Sequence, residues 1–197
     1  TGADIDQEDL NNISQSLTLY PRYMQNEATI TVECGLHGTV TPGTTTTTYG
    51  NDLTFEIQAD AGYQISSITL AGNPIAVEDK DSQTVLVENI IADSTLSVTF
   101  EIKKFTITLF SEGDGTNNPA TSQEAEFGSN KTYTFSANEG RYISSLKIDG
   151  FEKISGEDTK YYSHTFNNVS TDHTIDVRYS ICTYDVTTSV QKYSGYT

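Results

Sequence analysis

The stretch Ala59–Leu70, ADAGYQISSITL, returns further along the chain as Ala137–Ile148, ANEGRYISSLKI. An alanine, a glycine and an Ile-Ser-Ser triplet stand at the same places in both stretches, 78 positions apart. Self-similarity at a fixed spacing of this size is the signature of a repeat architecture. The two stretches therefore predict that the chain is built from tandem units.

Further matches extend outward from this stretch in both directions. Thr29-Ile30-Thr31 returns as Thr106-Ile107-Thr108 at a spacing of 77, and Asn89-Ile90 returns as Asn168-Val169 at a spacing of 79. Short insertions in the loops between strands produce such a drift. The predicted organisation is the tail of a preceding unit at 1-27, complete units at 28-102 and 103-180, and the start of a further unit at 181-197.

Within each predicted unit, apolar and polar residues alternate along short segments such as Thr29–Glu33, Leu53–Ile57 and Leu96–Phe100. A period of two indicates half-buried strands, and turn residues such as Pro42-Gly43 separate them. Helical periodicity is absent apart from a short turn-like stretch at Gln7–Gln15. The predicted fold is all-β, with tandem small β-sandwich or β-grasp-like repeat units of about 77 residues in an elongated array. Alternation identifies strands but not their order, so both arrangements stay open.

The net charge of the chain narrows the classes of molecule that we expect it to bind. The chain has 27 acidic against 11 basic residues and a formal net charge of −16, which repels phosphate backbones and anionic lipid. We therefore expect no nucleic-acid partner. No run of apolar residues is long enough to cross a membrane.

Cys34 and Cys182 lie 148 positions apart in different predicted units, which favours two free thiols over a disulfide.

Residues with catalytic or metal-binding chemistry are sparse. The histidines are His37, His164 and His173, and no serine stands in a Gly-x-Ser-x-Gly elbow. Two acidic runs, Asp4–Asp9 and Glu78–Asp81, could supply oxygen ligands to calcium. Neither has the spacing of a calcium-binding loop, and solvated acidic loops are the favoured interpretation. We therefore predict no catalytic residue, no metal site and no cofactor.

One pair of tyrosines is a candidate for ligand contact. Tyr161 and Tyr162 have no counterpart in the first unit. Tyrosine combines an apolar ring with a polar tip, so these side chains could stack on a sugar or contact a protein. The alternative is ordinary packing within a strand.

The order of these segments resembles the divergent internalin-type B-repeat, which occurs in tandem in bacterial surface proteins. The first unit carries the resemblance through Thr29–Val32, Gly38–Pro42, Tyr49-Gly50, Leu53–Ile57, Ala59–Leu70 and Val87–Phe100. The second carries it through Phe105–Leu109, Gly115–Pro119, Phe127-Gly128, Tyr133–Ala137, Gly140–Ile148 and Asn168–Tyr179. The resemblance implies an extracellular or cell-surface protein whose repeats act as spacers or adhesive modules, and it implies no catalytic residues.

Two functions are consistent with these patterns. The leading hypothesis is a non-catalytic structural or adhesive spacer in a bacterial surface protein with an unknown surface partner. The alternative is a glycan- or protein-binding module that uses the loops in which the repeats differ. The segment that discriminates between them is Phe151–Tyr162, which departs from Asn73–Ser82 of the first unit. Shared surfaces favour a spacer, and a unique exposed aromatic loop favours binding.

Overall fold

The computed structural model describes residues 25–156 and 158–183. This part of the chain forms sixteen β-strands and no helix, so the all-β prediction is confirmed. The predictions for Gln7–Gln15 and Asp4–Asp9, and most of the predicted unit at 181-197, lie outside the described residues.

The first eight strands form two sheets. A five-stranded sheet has the order β3-β1-β8-β5-β6 and a three-stranded sheet the order β2-β4-β7. All neighbours are antiparallel except β1 and β8, which are parallel. We call this pair of sheets the first sandwich. Its strands are β1 (Glu27–Cys34), β2 (Gly38–Thr41), β3 (Thr45–Thr48), β4 (Asn51–Ala59), β5 (Tyr63–Leu70), β6 (Asn73–Ile75), β7 (Ser82–Ile90) and β8 (Ser94–Ile102).

The next eight strands form a second pair of sheets, which we call the second sandwich. Their orders are β11-β9-β16-β13-β14 and β10-β12-β15, which are the orders of the first sandwich with each strand number raised by eight. The single parallel pair is again the first strand with the last, β9 with β16. The strands are β9 (Lys104–Glu112), β10 (Gly115–Asn118), β11 (Gln123–Glu126), β12 (Lys131–Ala137), β13 (Arg141–Ile148), β14 (Phe151–Ser155), β15 (Tyr161–Phe166) and β16 (His173–Ile181).

Each sandwich encloses its own hydrophobic core between its two sheets. In the first, Ile30 and Leu96 of the larger sheet pack in one cluster with Phe55 and Ile57 of the smaller sheet. In the second, residues of both sheets again form one cluster, with Ile107, Ile143, Leu146 and Ile175 from the larger sheet and Tyr133, Phe135 and Phe166 from the smaller. Interdigitating inner faces are typical of sheet-on-sheet packing. In each half of the described residues, two sheets therefore share one core, and no helix contributes to either.

The recurring Ile-Ser-Ser triplet has a structural cause. In β5, Ile65 pairs with Phe100 and Ser67 with Thr99, so that Ser66 is an extra residue in a β-bulge. The same register shift occurs in β13 between Ile143 and Ser145. A bulge bends its strand and increases its twist, so both larger sheets turn at the same place over their cores.

Two further predictions bear on the surface of the molecule. Cys34 and Cys182 are both free, with Cys34 exposed and Cys182 half-buried. No helix long and apolar enough to cross a membrane occurs among residues 25–156 and 158–183.

Candidate functional site

The structure separates the two tyrosines that the sequence singles out. They are neighbours in β15, and successive side chains of a strand point to opposite faces. Tyr161 is 59% exposed, whereas Tyr162 is half-buried against the second core. By strand register they stand where Ser82 and Gln83 stand in β7, so the pair has a counterpart in position although not in residue type. Their rings therefore do not form one contact surface.

The acidic run at Glu78–Asp81 forms a turn and an ion pair. One carboxylate oxygen of Asp79 accepts hydrogen bonds from the backbone N–H groups of Asp81 (2.8 Å) and Ser82 (3.3 Å). The Asp81 carboxylate lies 2.6 Å from the Lys103 ammonium group. In the described parts of the chain, no group of three or more His, Cys, Asp or Glu side chains is arranged to hold a metal ion.

A cleft at one end of the second sandwich brings together chemistry that is scattered in the sequence. It has a volume of about 370 Å³, and we call it the histidine cleft. The turn after β13, strand β14, the end of β15 and the start of β16 form its walls. The lining residues are Ile148, Asp149, Phe151, Lys153, His164, Thr165, Phe166, Asn167 and His173.

The ring of Phe166 organises both histidines of the cleft. Its centroid lies 4.6 Å from that of His164, edge to face, and 4.4 Å from that of His173. His173 Nδ1 is 2.8 Å from one carboxylate oxygen of Asp149. The other oxygen of Asp149 accepts a hydrogen bond from the backbone N–H of Thr174 at 2.8 Å. Asp149 therefore fixes the orientation of His173 and ties the β13–β14 turn to β16.

The environment of His164 favours its neutral form. Burial lowers the pKa of this imidazole, and the nearby charges of Lys153 and His173 lower it further, while Asp149 acts in the opposite direction. Neither ring nitrogen of His164 has a hydrogen-bond partner within the described residues. In that part of the chain every fully buried polar side-chain atom has a partner, so these two unpaired nitrogens are not fully buried. The imidazole nitrogens are therefore accessible from the cleft, where they can exchange hydrogen bonds with a ligand.

The chemistry of this cleft is absent from the first sandwich. Val85 stands at the position of His164, Ala71 at that of Asp149, and Ser94 at that of His173. These correspondences follow the spacings of 78 and 79 seen in the sequence. A position-by-position comparison of the two units could therefore have found the site. No histidine has a motif in its own surroundings in the sequence, so local patterns do not indicate the site.

The arrangement of hydrogen-bonding groups beside aromatic rings is suited to holding a ligand. The lining residues contain neither serine nor cysteine. The one hydroxyl group among them, on Thr165, lies 2.8 Å from the hydroxyl of Thr132 on the neighbouring strand. The Asp149 carboxylate therefore orients the imidazole ring of His173, which can form hydrogen bonds with a ligand in the cleft.

The lowered pKa of His164 predicts a specific acid sensitivity. As the pH falls, His164 in the unfolded chain binds a proton near the ordinary histidine pKa of about 6.5. In the folded chain it does so only at a lower pH, so acid stabilises the unfolded state relative to the folded state. We expect His164→Val, which installs the residue of the first sandwich, to reduce the loss of unfolding free energy between about pH 7.5 and pH 5. Urea unfolding at both pH values measures this. Thr165→Val, a non-titrating change next to it, should keep the wild-type pH dependence; equal dependence in His164→Val and wild type would contradict the prediction.

Comparison with known proteins yields no relative from which function could be transferred. No protein-family model matches the chain, and no curated protein matches it.

Proposed function

We propose that this chain provides non-catalytic structural or adhesive spacer units of an extracellular bacterial surface protein, in the manner of internalin-type B-repeats. The observation that carries the proposal is the joint between the two sandwiches. A spacer must hold successive units in a fixed relation, and the contacts of this joint are suited to that.

The joint contains a single residue outside the strands, Lys103, between β8 and β9. Its backbone N–H donates to the carbonyl of Gly62 and its own carbonyl accepts from the N–H of Phe127, both at 2.9 Å. Its ammonium group pairs with Asp81. Since both backbone groups and the side chain are engaged, Lys103 has little freedom to act as a flexible linker.

Packing of an aromatic ring reinforces these bonds. The ring of Phe127, in the second sandwich, lies over Gly62 of the first, so closely that a Cβ on Gly62 would be 2.2 Å from it. Gly62 also has a positive φ of 84°. Glycine is therefore required here both by conformation and by the close approach of the ring.

The same joint could propagate along a series of units. At the far end of the second sandwich, the N–H of Cys182 donates to the carbonyl of Gly140 at 2.9 Å, as that of Lys103 does to Gly62. No described atom lies within 4 Å of the Cβ position of Gly140. Tyr49, which stands in the first sandwich where Phe127 stands in the second, is 46% exposed. We propose that an aromatic ring of a following unit packs on Gly140 and that Tyr49 packs on a preceding unit.

Loosening the joint tests the spacer proposal. We expect Phe127→Ala to broaden the distribution of shapes in small-angle X-ray scattering while each sandwich stays folded, because the ring that covers Gly62 is lost. Phe110→Ala removes the same atoms from a ring that is 58% exposed on β9, and it should leave the profile unchanged. The wild-type profile should be elongated and unaffected by millimolar calcium. A compact wild-type profile, or one as broad as that of the Phe127→Ala variant, would count against a stiff spacer.

The alternative, a glycan- or protein-binding module, is supported by a different observation. The histidine cleft is built from residues that differ between the sandwiches, including Phe151 within the segment that distinguishes the two units. A spacer with identical units has no need of such a difference. Binding through the second sandwich is compatible with a spacer role for the whole array.

A further inference from the structure

We propose that the histidine cleft binds a carboxylate-bearing sugar, such as a uronic acid residue of an acidic glycan, with Lys153 and His164 holding the carboxylate and Phe151 stacking on the sugar ring. This inference specifies the ligand of the binding alternative. It does not depend on the spacer proposal.

The first support is the local balance of charge. Although the chain is strongly acidic overall, the cleft contains Lys153, His164 and His173 and only one carboxylate, Asp149. Both oxygens of Asp149 already accept hydrogen bonds, from His173 and from the backbone of Thr174. The Lys153 ammonium group and the one N–H of the neutral His164 remain as donors, and a charge-assisted hydrogen bond from Lys153 makes the cleft complementary to an anion.

The second support is the placement of Lys153. Strand β14 pairs with β13 through Glu152 opposite Lys147 and Ile154 opposite Leu146, so Lys153 is the extra residue of a bulge. Bulges redirect side chains at the edges of sheets. The corresponding strand of the first sandwich, β6, pairs without such a shift. Lys153 forms no ion pair within the described residues, so its charge is available to a ligand.

The third support is an exposed aromatic ring at the rim. Phe151 is 72% exposed and lines the cleft, and its position in the first sandwich is taken by Asn73. A pyranose ring has an apolar face of C–H groups that covers such a ring, while its polar groups meet the donors beside it. Pockets that combine an aromatic wall with a few convergent polar groups are typical ligand sites. A small inorganic anion would make no use of Phe151.

The charge of the cleft favours a carboxylate over a phosphate or sulfate group. Because its pKa is lowered, His164 is neutral at neutral pH and donates a single N–H. Both oxygens of Asp149 are engaged by His173 and the backbone of Thr174, which leaves the Lys153 ammonium group as the one permanently charged donor among the lining residues. One positive charge with one neutral donor matches the single charge and two oxygens of a carboxylate.

Binding to the whole chain can be followed by NMR amide shifts. The probe is a tetrasaccharide that alternates glucuronic acid with N-acetylglucosamine, and the neutral comparison is a tetrasaccharide of N-acetylglucosamine alone. We expect the acidic probe to shift the amides of Phe151, Lys153 and His164, and the neutral probe to shift none of them. Lys153→Met and Phe151→Asn should each weaken binding about tenfold. Both side chains are exposed, so the variants should fold.

Matched controls separate this site from general surface charge and stickiness. Lys147→Met removes an exposed lysine of β13, and Phe110→Asn changes an exposed ring of β9; both should bind like the wild type. Equal shifts with the neutral probe, or an equal effect of Lys147→Met, would overturn the role of the carboxylate but not binding itself. No shift with either probe on the folded chain would overturn both the inference and glycan binding. Neither outcome of the binding experiment affects the spacer proposal, which small-angle X-ray scattering tests separately.

Discussion

Replacing Phe55 with alanine should lower the free energy of unfolding of the first sandwich by about 3–5 kcal/mol, the usual cost of removing a buried phenylalanine ring. Phe55 is completely buried and packs in the first core with residues of both sheets. A domain of this size is stabilised by only about 5–15 kcal/mol in total. The substitution should therefore bring the first sandwich close to its unfolding midpoint in mild denaturant.

The same substitution should leave the second sandwich folded, because its core is a separate cluster of residues. Urea titration followed by NMR would show this as a first transition that moves to lower denaturant while the signals of β9–β16 persist. Phe110→Ala is the matched control, because it removes the same ring from a largely exposed site and should shift neither transition by more than about 0.5 kcal/mol. One transition common to all residues in the variant would mean that the sandwiches unfold as a single cooperative unit.

Phe55 also illustrates what the sequence could and could not predict about the fold. Alternation in Leu53–Ile57 identified a strand and its buried face, and Phe55 and Ile57 are both fully buried in β4. A segment such as β3, which reads Thr-Thr-Thr-Thr, has no alternation of apolar and polar residues, so the sequence does not predict this strand. Strand order was also out of reach, because β1 lies parallel to β8 through contacts more than 60 residues apart. Such pairing depends on how the sheets close over the core, which no local pattern encodes.

The candidate site was harder to predict than the fold for a related reason. His164 and His173 lie on different strands, and Asp149 lies in a hairpin turn. They meet because that turn, the end of β15 and the start of β16 lie at the same end of the sandwich. The tyrosine pair was visible because its two members are adjacent in sequence, yet adjacency within a strand is what places them on opposite faces.

A second large effect is expected at the turn between β9 and β10, where Gly113→Ala should destabilise the second sandwich by about 2–4 kcal/mol. Gly113 has a φ of 92°, a conformation that residues with a Cβ rarely adopt. A Cβ built there would lie 2.3 Å from the carbonyl oxygen of Tyr179. Because this oxygen belongs to the backbone of β16, the clash cannot be relieved by turning a side chain. Either the turn or the central strand must move.

A glycine that has neither a positive φ nor a close contact serves as the control for Gly113→Ala. Gly43 lies in the turn between β2 and β3, has no positive φ, and has no heavy atom within 4 Å of its Cβ position. Gly43→Ala should therefore stay within about 0.5 kcal/mol of the wild type. In urea unfolding, only the transition of the second sandwich should move in Gly113→Ala. A shift as small as that of Gly43→Ala would mean that the turn relaxes without disturbing β16, and that the close approach to Tyr179 does not constrain the fold.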